Sequence, residues 1–377
     1  MRELPTTRSC PFGPPDGAAD EPMTKVRLDT GDEIWFVSRH DLVRQVYGDA
    51  RFSSEIDGGS HGIPLHRTEP IPGMFIQMDP PRHTRLRRLV TGRFTVQRMK
   101  TLRPRIEQIV ADQLDHLAAQ PRPADLVTHF ALPIPSLVIC ELLGVPYSDR
   151  ERFQRAGAEL MRMDSTAEQS DAALLELSAY LVELLRRPPG PGLLADMIGT
   201  GLTEEELAGM AILLLVAGHE TTANVLALGT LALLEHPAQL ELVRQGKAPD
   251  AVDELLRWLS VVDVGLYRLA TEPVEIGGRR VEAGEFVTSS LGAANRDPSV
   301  FERPQELDVT RPRTHHLAFG FGAHQCLGQN LARMELDIAF PALLRRLPEL
   351  RLAVPLSSVP FRDEMAIYGV HRLEVTW

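Results

Sequence analysis

Only three cysteines, Cys10, Cys140 and Cys326, occur in 377 residues, and they lie far apart. A set so small and dispersed excludes a disulfide framework. It points to a reducing compartment and makes any special cysteine a ligand or a nucleophile. Lysine is equally scarce, with Lys25, Lys100 and Lys247 alone, so nearly all positive charge is arginine, and the net charge is -11. That balance argues against nonspecific nucleic-acid binding over the whole surface and leaves room for a local basic face. The N-terminus lacks a basic segment followed by an apolar run of signal-peptide type, so a cytoplasmic protein is expected. Gly/Ser runs, charge blocks and repeats are missing too, and the proline-rich stretches at 11–15 and 188–191 read as loop punctuation. One large domain over residues 1–377 is therefore expected.

What is present reads as mostly helix with small β-sheets at one side. Residues 24–28 and 33–37 alternate around Asp29-Thr30-Gly31-Asp32, as in a β-hairpin; 274–276 and 280–281 flank Gly277-Gly278 in the same way, and 350–354 and 366–377 suggest further short strands. Between them, 102–117, 137–143 and 172–185 carry apolar residues at three- and four-residue spacing. The longest helix starts at a capping box, Thr203 with Glu206, and runs to Leu234 before His236-Pro237 stops it. Roughly thirty residues at 1.5 Å each span on the order of 45 Å, enough to cross a domain. A bilayer span is excluded, because His219-Glu220-Thr221-Thr222 divides the segment and neither half reaches the roughly 18 to 20 apolar residues required. Apolar nearly all round, this helix belongs in a core. Polar groups at its centre then need a reason, since burying one unpaired costs about 1 to 3 kcal/mol.

Cys326 sits in Phe319-Gly320-Phe321-Gly322-Ala323-His324-Gln325-Cys326-Leu327-Gly328, directly before a helical run over 329–344. Free N–H groups and partial positive charge at a helix N-terminus favour thiolate over thiol, and glycines let backbone lie flat against a broad partner and turn without a Cβ clash. The stretch resembles the cysteine-ligand loop of the cytochrome P-450 superfamily, Phe-Gly-x-Gly-x-His-x-Cys-x-Gly, with every defined position filled. By contrast Cys140, inside Leu137-Val138-Ile139-Cys140, reads as core and Cys10 as a surface-loop residue.

The resemblance runs from the first hairpin to the C-terminus and implies the corresponding fold, with haem b between the long helix and the cysteine loop. It implies Cys326 as the iron ligand, with Phe319, Gly320, His324 and Gly328 of the same loop against the cofactor. Ala217-Gly218-His219-Glu220-Thr221-Thr222 resembles the family's oxygen-activation segment. Thr221 can bond back to the carbonyl of residue 217 and open the helix where Gly218 leaves room for a diatomic ligand, and Glu220 and Thr221 can pass protons to bound oxygen. For the propionates the resemblance implies His83 and Arg87 of Asp79-Pro80-Pro81-Arg82-His83-Thr84-Arg85-Leu86-Arg87-Arg88, together with Arg268 and His324. On a helix His83 and Arg87 share a side, while Arg82, Arg85 and Arg88 point away. Glu254 and Arg257 match the family's Glu-x-x-Arg pair and are expected to lock the fold.

A monooxygenase is the reading that follows, activating O2 with two externally supplied electrons to hydroxylate or epoxidise a small organic substrate, as in bacterial secondary metabolism. No flavin motif accompanies the haem domain, so ferredoxin and ferredoxin reductase are expected as donors, with Arg82, Arg85, Arg88, Arg93 and Arg333 as a basic face for an acidic ferredoxin. Position in the family pattern assigns substrate choice to 56–77, 161–165, 213–217, 262–266 and 365–368. The family's first helix looks shortened or missing, and 186–194 is brief. Alternatives are an oxidative coupling enzyme that makes an aryl or C–C cross-link, a non-catalytic haem-binding sensor, and a cofactor-free cysteine hydrolase using Cys326 and His324.

Overall fold

The computed structural model describes residues 2–56, 71–187, 191–264 and 266–377. Parts of three stretches singled out above, 56–77, 186–194 and 262–266, lie outside the described residues.

The first hairpin forms as its alternation requires, β2 (Met23–Arg27) antiparallel to β3 (Glu33–Val37), and β1 (Arg2–Glu3) joins its edge in parallel. Beyond it lie α1 (His40–Gly48), β4 (Phe52–Ser53) and β5 (Ala124–Asp125). A nonlocal pairing completes the main sheet: β3 runs parallel to β9 (Phe286–Ser289), β9 antiparallel to β6 (Arg268–Ala270), and β6 to β4. The second expected hairpin, β7 (Val274–Ile276) and β8 (Arg279–Val281), turns through Gly277 and Gly278, both in the left-handed region. Near the C-terminus β10 (Arg351–Leu352) and β11 (Glu374–Thr376) pair with each other and with β5.

The helical body comprises α2 (Arg82–Thr91), α3 (Val96–Ala118), α4 (Pro133–Leu143), α5 (Arg150–Leu160), α6 (Ala167–Arg186), α7 (Leu193–Met197), α8 (Glu204–Glu235), α9 (Pro237–Arg244), α10 (Ala251–Leu259), α11 (Leu291–Ala294) and α12 (Gln329–Arg346). The capping box of α8 is present in both directions, Thr203 Oγ1 accepting from Glu206 N–H and Glu206 Oε2 from Thr203 N–H. Although α8 is long and apolar enough to cross a membrane by composition, 78% of its apolar window is buried in the fold. It packs against α4, α5, α6, α10 and α12.

No helix precedes β2 among the described residues; the segment before it is a succession of turns. This segment folds inward rather than leaving the fold open. Phe12 is buried and stacks on Trp258 of α10, with ring centroids 5.4 Å apart. The expected lock is also there: Arg257 donates to both Glu254 oxygens at 2.7 and 2.8 Å with both side chains at most 1% exposed, and it reaches the carbonyls of Asn295, Pro304 and Glu306. The pair ties α10 to the irregular chain leading to the cysteine loop.

Candidate active site

Along the buried stretch of α8, residues 207–233, only Leu213, Ala217, Gly218 and Thr221 keep accessible surface. Three of them recur every fourth residue, so they form one stripe on one face. That stripe is the part of the core helix that the rest of the fold leaves uncovered.

Thr221 Oγ1 donates to the Ala217 carbonyl at 2.9 Å, as the sequence suggested. The expected local opening does not follow, because α8 remains α-helical through this turn. A carbonyl has two lone pairs and accepts the hydroxyl without giving up its backbone donor. Gly218 needs a second correction. A Cβ there would stand 2.8 Å from two carbons of Ile139, so the missing side chain admits α4 rather than a diatomic ligand. Glu220 is buried and turned to Arg362, whose Nη1 donates to Oε2 at 3.0 Å, while Asn224 Nδ2 donates to the Glu220 carbonyl. Arg362 went unnoticed in the sequence, since 142 residues separate it from its partner.

The cysteine loop lies just before α12, with Gly328 at the N-cap. Cys326 N–H donates to the Phe319 carbonyl at 2.8 Å, which closes the loop, and Gly320 and Gly322 both have positive φ. At Gly322 glycine is required twice over, because a Cβ would meet the Tyr47 carbonyl at 2.3 Å. Burial pushes the Cys326 thiol up; N–H groups of Gly328 and Gln329, with Arg87 and Arg333, oppose it without winning. The N–H groups at the helix end thus favour thiolate, as expected, while burial outweighs them. Cys326 nevertheless keeps accessible surface, as do Gly322, Ala323 and Gln325 of its loop. Arg333, from α12, lies over the Phe319 ring at 4.4 Å and is held by Asp253. Burial by itself would push Asp253 up, but bonds from His316 and Arg333 hold it at about 2.

Beside the loop the expected anion partners converge. His83 of α2 and His324 have ring centroids 4.2 Å apart, and Arg87 donates to the Gln325 carbonyl at 2.5 Å. Arg268 enters from β6, buried, over the Tyr47 ring. Both ring nitrogens of His83 and Nδ1 of His324 are buried without a partner. Burial first, then Arg268, His83 and Arg87, drive His324 down to about 3. His324 Nε2 pairs with Ser54 Oγ at 3.1 Å and not with Cys326, so it cannot be the base of a cysteine hydrolase. Orphaned imidazole nitrogens, two guanidiniums and an accessible sulfur fit a flat macrocycle that carries carboxylates and a thiophilic metal.

The basic face expected beyond α2 is largely neutralised. Arg82 pairs with Glu55, Arg85 with Glu206, Arg93 with Asp196 and Arg333 with Asp253, whereas Arg88 stays exposed. The first three pairs are exposed and worth little to stability, but all four cancel local potential.

This fold and donor set are those of a haem-thiolate protein. Comparison with known proteins gives the family. The cytochrome P-450 family model matches residues 248–368. The chain is 44% identical over 392 residues to the vitamin D3 dihydroxylase of Streptomyces griseolus, covering 99% of this chain and 96% of that protein. It is 42% identical over 393 residues to the 20-oxo-5-O-mycaminosyltylactone 23-monooxygenase of Streptomyces fradiae, covering 99% and 92%. The crystal structure of CYP105P1 in complex with filipin I superposes with a TM-score of 0.94 at 42% identity, covering 100% of this chain and 99% of that one. The chain belongs to the cytochrome P-450 family and is an oxidoreductase of its bacterial monooxygenase type. As such it carries a haem-thiolate cofactor, takes electrons from redox partners and acts on small molecules.

Proposed function

We propose that residues 1–377 form one haem b domain that hydroxylates or epoxidises a secondary metabolite in the cytoplasm, with ferredoxin and ferredoxin reductase as electron donors. The relatives' names, a dihydroxylase and a monooxygenase of Streptomyces, support oxygen insertion as the reaction. Cys326 would be the residue that ligates the iron. His83, Arg87, Arg268 and His324 hold the propionates, and Ala217, Gly218, Phe319, Gly320 and Gly328 border the ring. When bound, the iron supplies reductive activation of O2, with the thiolate pushing electron density toward it. Thr221 stands on the open stripe of α8 with its hydroxyl fixed by Ala217, where it can hand on a proton; Glu220, one residue earlier, is the acid that replenishes it. Exclusion of water falls to the apolar flanks of α8.

The observation that carries this reading is the accessible Cys326 set beside orphaned imidazoles, Arg87 and the buried Arg268. Its test is spectroscopic. Reduced protein under carbon monoxide is expected to show the red-shifted thiolate band, and Cys326→Ala to lose it; retention of that band in the variant would sink the assignment. Product mass under labelled dioxygen then separates oxygen insertion from coupling.

A further inference from the structure

We propose that Arg362 is the positioning residue for Glu220, and that Arg8, in the turn-rich segment before β2, fixes the hairpin that presents Arg362. The proposal rests on the proton-relay reading of Glu220.

Residues 361–370 form this hairpin. Phe361 bridges Val370, Arg362 N–H donates to the Gly369 carbonyl, and the Phe361 and Tyr368 rings stack at 6.1 Å. One side of it grips α8: Arg362 meets the buried Glu220, and Gly369 lies so close to Asn224 that a Cβ would stand 2.0 Å from Oδ1. The opposite side is gripped by Arg8. Its guanidinium lies 4.2 Å over the Tyr368 ring and donates to Asp263 Oδ2 at 3.0 Å, the two charged side chains being 7% and 3% exposed. Asp263 in turn accepts from Ser290 Oγ and Gly292 N–H, and Tyr368 N–H donates to the Val261 carbonyl. The tip is pinned as well, Ala366 N–H to the Met161 carbonyl and Met163 N–H to the Glu364 carbonyl.

Two buried ion pairs thus hold one short hairpin from both sides, and each is costly to leave half made. A flexible carboxylate near the end of its relay must be kept in one rotamer to act in time. Arg362 does this by holding Oε2. The remaining oxygen, Oε1, lies 3.8 Å from His219 Nε2, which has no hydrogen-bond partner and whose pKa burial pushes down. Asn224 Nδ2 also reaches Oε2, but only at 3.5 Å, and Arg362 is the one arginine or lysine among the described residues that pairs with Glu220.

The test uses the haem-loaded enzyme with its electron donors. Arg362→Gln is expected to cut product formed per electron pair on the order of tenfold, in the range of a lost proton-transfer contribution, with KM little changed. Arg362→Lys should recover much of it, and in a Glu220→Gln background Arg362→Gln should have no further effect. Arg8→Gln should lower product yield in the same direction. It should also speed amide exchange in the peptide spanning 361–370 on the order of tenfold, a readout independent of turnover. Equal losses from Arg362→Gln with and without Glu220 would overturn the proposal, as would an Arg8 variant whose hairpin exchanges at the wild-type rate. Wild-type yield in Glu220→Gln alone would instead remove the relay reading, and the proposal with it. If Arg362→Gln does not accumulate folded, the double variant, which leaves no unpaired buried charge, is compared with Glu220→Gln and Arg362→Lys with wild type. A loss in the double variant beyond that of Glu220→Gln, or in Arg362→Lys equal to a full uncoupling, then counts against it.

Discussion

Glu335 of α12 is wholly buried, its Oε2 has no partner, and burial alone drives its carboxyl well above the usual range. The folded state therefore holds a proton that the unfolded chain releases near pH 4.3. Stability from this source is complete below that pH and erodes as pH rises through the folded value, since the folded form then binds more protons than the unfolded. Glu335→Gln should flatten the pH dependence, gaining on wild type from pH 5 to pH 8. Denaturant midpoints at the two pH values check it, and an equal offset at both would show that Glu335 does not titrate in that window. Nothing local in the sequence marks Glu335 as different from the exposed acids around it. Cys326 was the reverse, legible at once from its loop, although the burial that opposes its helix-end N–H groups has no linear signature. Thr221 was legible for a different reason: a polar group in the middle of an apolar helix has few ways to be satisfied, and the carbonyl one turn back is the nearest.

At the scale of elements, α8 was readable from both ends inward, through its capping box and its histidine-proline stop. The two tight hairpins were equally plain, because their turns and their alternation are local. What stayed hidden was nonlocal. The parallel contact of β3 with β9 joins residues some 250 positions apart, and the approach of α4 to α8 at Gly218 depends on a neighbour that no periodicity names. That approach makes a prediction. Gly218→Ala should destabilise by about 1 to 3 kcal/mol, the usual cost of overpacking. Shortening the neighbour in Gly218→Ala/Ile139→Val should return part of it, as read by denaturant unfolding of both variants. Additive losses would mean that the two residues do not compete for one space.

For the whole molecule, the Glu254–Arg257 pair counts most, since five partners from three stretches meet on it: Asn295, Pro304 and Glu306 on the arginine, Asp308 and Arg311 on the glutamate. Removing one member leaves the other charged and dry. Arg257→Ala is expected to cost roughly 3 to 5 kcal/mol, and to appear as loss of folded, pigment-retaining protein rather than as altered turnover. Normal yield with a normal melting curve would contradict it. The short sequence motif announced this pair, but its reach across the fold came only with the structure.

Phe12 on Trp258 and Arg8 on Asp263 carry a consequence for synthesis. Translation releases the early aromatic long before its tryptophan exists, so an oily side chain must wait, unshielded, while some two hundred and fifty further residues leave the ribosome. Phe12 can therefore reach its seat only after residue 258 has been made. Chaperone dependence during expression should track changes at position 12 more closely than changes to the catalytic loop.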